Sequence, residues 1–261
     1  MRSIQRDDGE NSVLGRALSL LHAFTPHDAD LSLAELSRRT GIPKATVHRL
    51  VGELGRWGMV EPGPAGVHLG MRLFELGQLA PRQRSLREAA LPYLNDLHEA
   101  THETVHLAVL EEVDAPEVVY LEKLTGKGGP ALPSRVGGRM PTYCTAVGKA
   151  LLAFSPVSTV EAVLSGGLTR LTPYTIALPA LLHRELGDIR RSGVAFEREE
   201  STPGVVCVAC PVVAADGSAL AAVSIAGWSN RLDTGRVASA VRTASLAISR
   251  QLRARGSGPV S

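Results

Sequence analysis

Residues 32–57, SLAELSRRTGIPKATVHRLVGELGRW, predict two helices that are separated by a turn of only a few residues. Ser32 and Glu35 have the spacing of a capping box, in which the serine oxygen and the glutamate side chain satisfy each other's free backbone N–H groups. A helix should therefore begin here and run to about Thr40, where Gly41 favours its end. Two helices joined by a short glycine-containing turn are typical of a helix-turn-helix.

The second helix of this pair should run from about Pro43 to Trp57, because proline is tolerated in a first helical turn and Gly58 favours a stop. Aliphatic residues at i, i+3, i+4 and i+7 give it one face for docking on other helices: Val47, Leu50, Val51 and Leu54. The remaining face offers small, hydroxyl, imidazole and guanidinium groups: Ala45, Thr46, His48, Arg49, Gly52 and Arg56. Such a face suits the major groove of DNA, although an ordinary amphipathic helix is the alternative.

The flanking segments favour DNA binding over an ordinary amphipathic helix. An apolar stripe at helical spacing between Val13 and Phe24, ended by Pro26, predicts one more helix in front. Behind the pair, residues 59–61 and 67–69 flank the turn-rich PGPAG and predict a short hairpin, which in this position is a wing. Residues 34–60 also hold five basic against two acidic residues. Together these features predict a winged helix-turn-helix that binds DNA.

The bulk properties limit the classes of protein to consider. With 261 residues and 44% hydrophobic residues the chain is long enough for two domains. A net charge of +2 and no apolar stretch of about 18 residues give no support for a membrane partner or a secretory signal, so we expect a cytoplasmic protein. Three cysteines make no disulfide framework, and reduced thiols are expected.

The stretch His102-Glu103-Thr104-Val105-His106 spells the H-E-x-x-H pattern of zinc metalloproteases, which requires a helix. Residues 104–110 are β-branched and apolar, so a buried strand is expected instead. On a strand, i and i+4 lie about 13 Å apart, too far for two imidazoles to share one zinc. A zinc- or thiol-dependent hydrolase that uses both histidines and the cysteines is kept as the alternative function.

Cys207 and Cys210 form a C-x-x-C pair that invites a metal or redox interpretation. Their surroundings, VVCVACPVV, predict an extended backbone on which i and i+3 point to opposite faces. We therefore expect one thiol to face a pocket and the other to pack in the core. The chain offers no nucleophile elbow, Walker loop or Rossmann glycine string, so we expect no catalysis, no cofactor and no metal site.

The rest of the chain predicts mixed structure. Residues 71–83 should form a linker helix and 85–100 a second helix. Strands are expected at 104–110, 117–124, 194–200, 205–213 and 218–226, and helices at 145–154, 156–164, 179–192 and 234–253. This pattern indicates an α+β domain with helices packed on an antiparallel sheet. Thr145 should cap a helix with small first residues whose free N–H groups suit an anion, with plain helix packing as the alternative.

Four motifs in order, SLAELSRRTGIPKATVHRLVGEL, ETVHLAVL, GRMPTYCTAVGKALLAF and GVVCVACPV followed by AAVSIAG, resemble the IclR-type bacterial transcriptional regulators. The resemblance runs from about Val13 to Leu252. It implies a winged helix-turn-helix joined by a linker helix to a GAF-like effector domain. It also implies a homodimer or dimer of dimers on a palindromic operator, near its own gene or a catabolic operon, with repression as the expected mode.

From this resemblance we expect residues 1–11 to be a disordered tail, 12–70 the DNA-binding domain, 71–84 the linker helix, 85–254 the effector domain and 255–261 a second tail. The expected DNA contacts are Arg16, Lys44, Ala45, Thr46, His48, Arg49 and His68. The expected contacts of a small organic acid are Met140, Thr142, Ala146, Val147, Glu197, Cys207, Ser224 and Ala226.

Two of these positions differ from relatives that bind small keto acids. Glu197 stands where those relatives carry an aspartate, and Ala226 replaces a serine. The resemblance therefore disfavours glyoxylate or pyruvate and leaves an aromatic acid, an amino acid or a lactone open. A sensory or scaffold protein whose winged helix contacts other proteins is the remaining rival.

Overall fold

A computed structural model describes residues 12–112 and 115–256 of this chain, which divides into two compact units between Arg84 and Ser85. The predicted tail at 1–11 and residues 257–261 of the second predicted tail lie outside the described residues. The last helix extends to Gly256, two residues into that second tail.

The first unit contains the predicted three helices and hairpin in the predicted order. Its elements are α1 Val13–His22, α2 Leu33–Thr40, α3 Lys44–Arg56, the antiparallel pair β1 Val60–Gly63 and β2 Gly66–Leu69, and α4 Met71–Gln78. Gly41 ends α2 in the left-handed conformation, with φ of 70°, which glycine adopts without strain. The three helices enclose a small apolar core of Leu20, Leu31, Leu36, Ile42, Val47 and Leu50.

The capping box at the start of α2 is only half formed. The Ser32 hydroxyl accepts the Glu35 N–H at 3.1 Å, as predicted. The Glu35 carboxylate, however, accepts hydrogen bonds from Arg38 and Arg39 instead of from the Ser32 N–H. Hydrogen bonds between a carboxylate and two guanidinium groups, in which both partners are charged, replace one bond from an uncharged backbone N–H. The same bonds lower the pKa of Glu35 to about 2.

The predicted linker helix does not continue to residue 83. It ends at Gln78, and a new helix, α5 Pro81–Thr101, begins at a proline, which lacks the N–H that a continuous helix would need.

The second unit contains every strand and helix that the sequence predicts beyond residue 104, within a few residues. Its elements after α5 are β3 Thr104–Glu111, β4 Glu117–Leu124, β5 Arg139–Pro141, α6 Ala146–Leu152, α7 Val157–Ser165, α8 Pro179–Ser192, β6 Ala195–Arg198, β7 Val205–Val213, β8 Ala219–Trp228 and α9 Thr234–Gly256. The short β5 was not predicted. The strands form one antiparallel sheet in the order β5-β4-β3-β8-β7-β6.

Each face of this sheet has its own apolar core. Alternate residues of β3, β7 and β8 pack with α5 and α9 on one face, and the others pack with α6, α7 and α8 on the second face. Within the described ranges, every helix is too short or too polar to cross a lipid bilayer.

Candidate DNA-binding face and small-molecule cavity

Helix α3 buries its aliphatic edge and exposes its basic edge, as the spacing of its residues predicts. Val47 and Leu50 are 0% and 2% exposed, whereas His48 and Arg49 lie in solvent. Ala45 is exposed and Thr46 is half-buried at the start of the helix. A helix whose buried and exposed edges are separated in this way can enter a DNA groove without disturbing its packing on the other helices.

Arg39 of α2 is bonded to carboxylates, whereas, within the described part of the chain, Lys44 and Arg49 of α3 are not. On α2, Arg39 pairs with Asp28 at 2.6 Å and with Glu35 at 2.7 Å, which fixes it within the fold. Among the residues that the structure describes, Lys44 and Arg49 of α3 have no carboxylate partner. Their charges are therefore available to phosphates or base edges.

The wing is held by a residue that sequence reasoning missed. Asp30 accepts the Ala65 N–H at 3.2 Å and lies 3.1 Å from Nδ1 of His68, so it ties the hairpin tip to the chain before α2. The Nε2 atom of His68 lies 3.7 Å from Glu61. Arg16, the other predicted phosphate contact outside α3, is half-buried on α1.

In the second unit a small, partly open cavity lies on the sheet face that packs against α6. Strand register creates it: Glu197 pairs with Cys207, and Cys207 pairs with Ala226, so three strands place one row of side chains side by side. In the next row His106 lies opposite Ser224. The start of α6 closes the cavity from above.

Seven of the eight residues predicted from the resemblance line this cavity: Met140, Ala146, Val147, Glu197, Cys207, Ser224 and Ala226. Thr142 does not, because its buried hydroxyl donates to the Pro116 carbonyl at 3.4 Å. Eight lining residues were not predicted as effector contacts: His106, Tyr120, Leu132, Pro133, Ser134, Thr145, Ser201 and Val205. The apolar run at residues 104–110 predicted a buried strand that contains His106, but nothing in the sequence placed residues 132–134 over it.

His106 is a neutral hydrogen-bonding group in the wall of the cavity. Its Nε2 atom lies 2.9 Å from the Ser134 hydroxyl, and its Nδ1 atom lies 3.3 Å from the Ser224 hydroxyl. Burial, together with the charge of Lys123, lowers its pKa to about 3. The ring also packs on Tyr120, with centroids 5.0 Å apart.

Glu197 supplies the one carboxyl group of the lining. Its Oε1 atom accepts the N–H and the hydroxyl of Ser201, each at 3.1 Å. Burial raises the pKa of Glu197, while hydrogen bonds from Cys207 and Ser201 lower it. Burial likewise raises the pKa of the Cys207 thiol well above its usual value. The cavity therefore presents polar groups without a lysine or arginine in its lining.

The start of α6 is tightly built. The Thr145 hydroxyl accepts the Gly148 N–H at 3.1 Å, which confirms the predicted cap. A Cβ atom on Gly148 would lie 2.2 Å from the Thr142 carbonyl oxygen, so only glycine allows this approach. With seven residues, α6 is too short to rest an anion site on its N-terminus alone.

The geometry disfavours the metal and redox alternatives. His102 precedes β3 with φ of 57°, whereas His106 lies within the strand and bonds to two serines. Cys207 borders the cavity, whereas Cys210 belongs to the core on the opposite sheet face. Both thiols are free. The predicted divergence of the two sulfurs is confirmed.

Comparison with known proteins identifies relatives over nearly the whole chain. The family model for the IclR helix-turn-helix domain matches residues 13–64, and the model for the bacterial transcriptional regulator IclR C-terminal region matches residues 79–250. The chain is 34% identical to the HTH-type transcriptional regulator XynR of Escherichia coli, over 91% of this chain and 95% of that protein. It is also 34% identical to the DNA-binding transcriptional repressor YiaJ of the same bacterium, over 87% and 82%.

A solved structure provides a similar match. The crystal structure of an IclR homolog from Microbacterium hydrocarbonoxydans, complexed with 4-hydroxybenzoate, has a TM-score of 0.86 and 31% identity to this chain. The match covers 93% of this chain and 100% of that one.

Proposed function

This chain belongs to the IclR family of bacterial transcriptional regulators and is not an enzyme. We propose that its helix α3 binds DNA and that the cavity beside α6 binds a small-molecule effector. The chain is a DNA-binding regulator of the family whose members repress metabolic operons in response to small molecules. Its place of action is the cytoplasm, where its operator lies.

Helix α3 enters the major groove of a double-stranded operator. Lys44, Ala45, Thr46, His48 and Arg49 make the contacts on this helix. The observation that carries this assignment is the exposed basic edge of α3, whose Lys44 and Arg49 have no carboxylate partner among the described residues. Small Ala45 allows close approach, and the cations suit phosphates and guanine edges.

Arg16 and His68 are assigned as outer phosphate contacts. His68 already lies between Asp30 and Glu61, so its contribution should be smaller than that of Arg49.

A gel-shift series on fragments upstream of the chain's own gene tests this assignment. Arg49→Ala should weaken binding by about ten- to a hundredfold, the range expected for one lost bidentate contact. Arg191→Ala removes a solvent-exposed arginine, paired with Asp188, from the second unit and is the control. Equal affinity of the two variants would reject the α3 face, and failure of the unaltered protein to bind any fragment at low salt would reject the function.

The effector is a small organic acid that occupies the cavity beside α6. The supporting observations are the hydroxyl, imidazole and carboxyl groups of Ser134, Ser224, His106 and Glu197 around one partly enclosed space. The similar homolog holds 4-hydroxybenzoate, so an aromatic hydroxy acid is the first candidate. Without a lining cation, the ligand is held by hydrogen bonds, and its hydroxyl donates to Glu197.

Thermal unfolding with 4-hydroxybenzoate tests this class of effector, because a ligand that binds the folded state raises the melting temperature by mass action. Benzoate, which lacks the hydroxyl group, is the matched control ligand. The melting temperature should rise more with 4-hydroxybenzoate than with benzoate, and this difference should shrink in Glu197→Gln, whose neutral amide oxygen is a weaker acceptor than a carboxylate. Equal rises of the melting temperature in the unaltered protein and in Glu197→Gln would mean that the ligand binds elsewhere.

The regulator acts as a homodimer or a dimer of dimers on a palindromic site, with α4 of one copy against α4 of a second copy. Helix α4 has eight residues and none of them is buried, although Met71 and Phe74 are each 63% exposed. A helix this short is marginal in water without a packing partner. Phe74→Ser should shift sedimentation toward the monomer, with Leu181→Ser, on the exposed side of α8, as the control.

A further inference from the structure

Lys149 is a buried cation one helical turn from the effector cavity. Its side chain on α6 is 0% exposed, and Ala146, three residues earlier, lines the cavity. The Nζ atom lies 2.6 Å from Oε1 of Glu200 and 3.3 Å from Oε1 of Glu185. An unpaired ammonium in the interior is very unfavourable, so these pairs tie α6 to α8 and to the turn after β6.

The turn after β6 also anchors the carboxyl group of the cavity. Glu197 lies in β6, one residue before the strand ends, and its Oε1 atom is held by the N–H and hydroxyl of Ser201. Glu200 lies between them in the sequence, and its Oε1 atom accepts the Arg198 N–H at 3.4 Å in addition to the Lys149 ammonium. The partner of Lys149 and the anchor of Glu197 are therefore adjacent residues.

This turn has an unfavourable backbone conformation. Glu199 has φ of 59°, which non-glycine residues rarely adopt and which persists only when the surroundings hold it. The Thr172 hydroxyl donates to the Glu199 carbonyl at 2.6 Å, and the Thr175 hydroxyl donates to the Glu200 carbonyl at 2.7 Å. These bonds fix the backbone but leave the Glu200 side chain to Lys149.

Compensation of the Glu200 charge depends on one of its two oxygens. Its Oε2 atom is buried without a hydrogen-bond partner among the described residues. Glu197, three residues away, is also buried and is of like charge when ionised. If the ammonium is removed, Glu200 can remain in place only as the neutral acid, or it must move toward water, and the Ser201 anchor then moves with it.

We propose that Lys149 is a positioning residue for the effector site: through Glu200 it holds the turn that presents the Glu197 carboxyl group to the ligand. The part that concerns the ligand rests on the proposed function, whereas the part that concerns the turn does not.

Amide hydrogen exchange of the full chain tests the effect on the turn without any ligand. In Lys149→Met, the amides of residues 199–202 and 204 should exchange at least about tenfold faster, while amides in the middle of β7 keep their protection. Lys127→Met makes the same chemical change at an exposed site and should match the unaltered protein. Uniform acceleration across the second unit, or no acceleration at the turn, would overturn the proposal.

Glu200→Gln provides the test if Lys149→Met does not fold. This substitution leaves Lys149 paired with Glu185 and removes only the charge that holds the turn. A smaller but still local acceleration at residues 199–202 and 204 is expected. Unchanged exchange in this variant would count against the proposal in the same way.

The ligand measurement uses 4-hydroxybenzoate and benzoate in a double-mutant cycle. Lys149→Met should weaken 4-hydroxybenzoate about tenfold, as expected for one lost hydrogen bond to a charged group, and should leave benzoate nearly unchanged. In a Glu197→Gln background the same substitution should have little further effect. Equal weakening of both acids, or additive effects, would overturn the positioning role. If the unaltered protein binds neither acid, the proposed effector class fails, and the exchange experiment alone decides the role of Lys149.

Discussion

Helix α3 of the first unit and helix α6 of the second unit both carry a lysine, but they keep its charge in opposite ways. Lys44 lies in solvent without a carboxylate partner among the described residues, whereas Lys149 is fully enclosed and bonded to two glutamates. A solvated charge adds little to folding and is free to meet a polyanion. An enclosed charge must be neutralised within the fold, so it joins the elements around it. Matched substitutions should therefore affect different properties.

The largest expected effect is on stability. Lys149→Met should lower the free energy of unfolding of the second unit by about 3 kcal/mol, because it leaves Glu200 buried without its cation. Lys44→Met should change the free energy of unfolding by less than about 0.5 kcal/mol. Urea unfolding followed by Trp228 in a Trp57→Phe background measures Lys149→Met in the second unit, and unfolding followed by Trp57 in a Trp228→Phe background measures Lys44→Met in the first unit. An equal decrease of the free energy of unfolding in Lys149→Met and Lys44→Met would contradict the proposed difference between an enclosed and a solvated lysine.

The second effect concerns pH. The unfolded chain protonates an ordinary histidine below pH 6.5, whereas the folded chain keeps His106 neutral down to about pH 3. The contribution of His106 to the free energy of unfolding is therefore fully present above pH 6.5, and it falls by about 1.4 kcal/mol for each pH unit below that value. His106→Gln has no imidazole to protonate and should not lose stability in this way. The free energy of unfolding of the unaltered protein, relative to that of His106→Gln, should therefore fall by about 2 kcal/mol between pH 6.5 and 5.0.

Two carboxyl groups act in the opposite direction as the pH falls. The pKa values of Glu197 and Glu200 are raised by burial, so the folded state gains protons there as pH falls, and stability from these groups increases. Measuring His106→Gln and the unaltered protein in parallel cancels this contribution. A constant difference between the two proteins across the range would show that His106 protonates in the folded state.

The third effect is on the salt dependence of DNA binding. If Lys44 contacts one phosphate, Lys44→Met should reduce the slope of log K against log salt concentration by ~0.9. Lys149→Met, compared at a temperature where it is folded, should leave that slope unchanged. Fluorescence anisotropy of an operator fragment over a salt series measures both. An unchanged slope in Lys44→Met would mean that the exposed lysine is a solvated surface residue.

The smallest expected effect is at the wing. Asp30→Ala removes the acceptor for the Ala65 N–H and for His68, and it should cost about 0.5–1 kcal/mol of stability of the first unit. Asp30→Asn keeps one acceptor oxygen and should cost less. Unfolding monitored by Trp57 fluorescence in a Trp228→Phe background would compare the two. An equal loss in Asp30→Asn would mean that the charge, and not the hydrogen bond, holds the hairpin.

The contrast between the two regions also explains what could be predicted from sequence. The edges of α3 follow from the spacing of Val47, Leu50, Val51 and Leu54 within one helix, so local periodicity was sufficient. Thr145 was identified as a helix cap for the same reason. Where partners compete, local rules were incomplete: Glu35 had the right spacing for a capping box, but two arginines later in α2 bind its carboxylate.

The cavity depends on residues that are distant in sequence. His106 meets Ser224 because β3 pairs with β8, more than one hundred residues later, and Ser134 comes from a loop without periodicity. The resemblance placed seven of the fifteen lining residues but missed His106 and included Thr142, whose hydroxyl bonds to Pro116. The Lys149–Glu200 pair leaves no pattern at all, because a buried lysine in α6 is indistinguishable in sequence from an exposed one.

The sheet order has a consequence for the synthesis of this protein on the ribosome. Strand β3 lies beside β8, so the centre of the sheet is incomplete until residues 219–228 have emerged, and α9 covers one face only after that. The three-helix core and hairpin of the first unit need nothing beyond Leu69. Since domains generally fold as they are made, the nascent chain acquires a folded DNA-reading module well before the sensor that governs it.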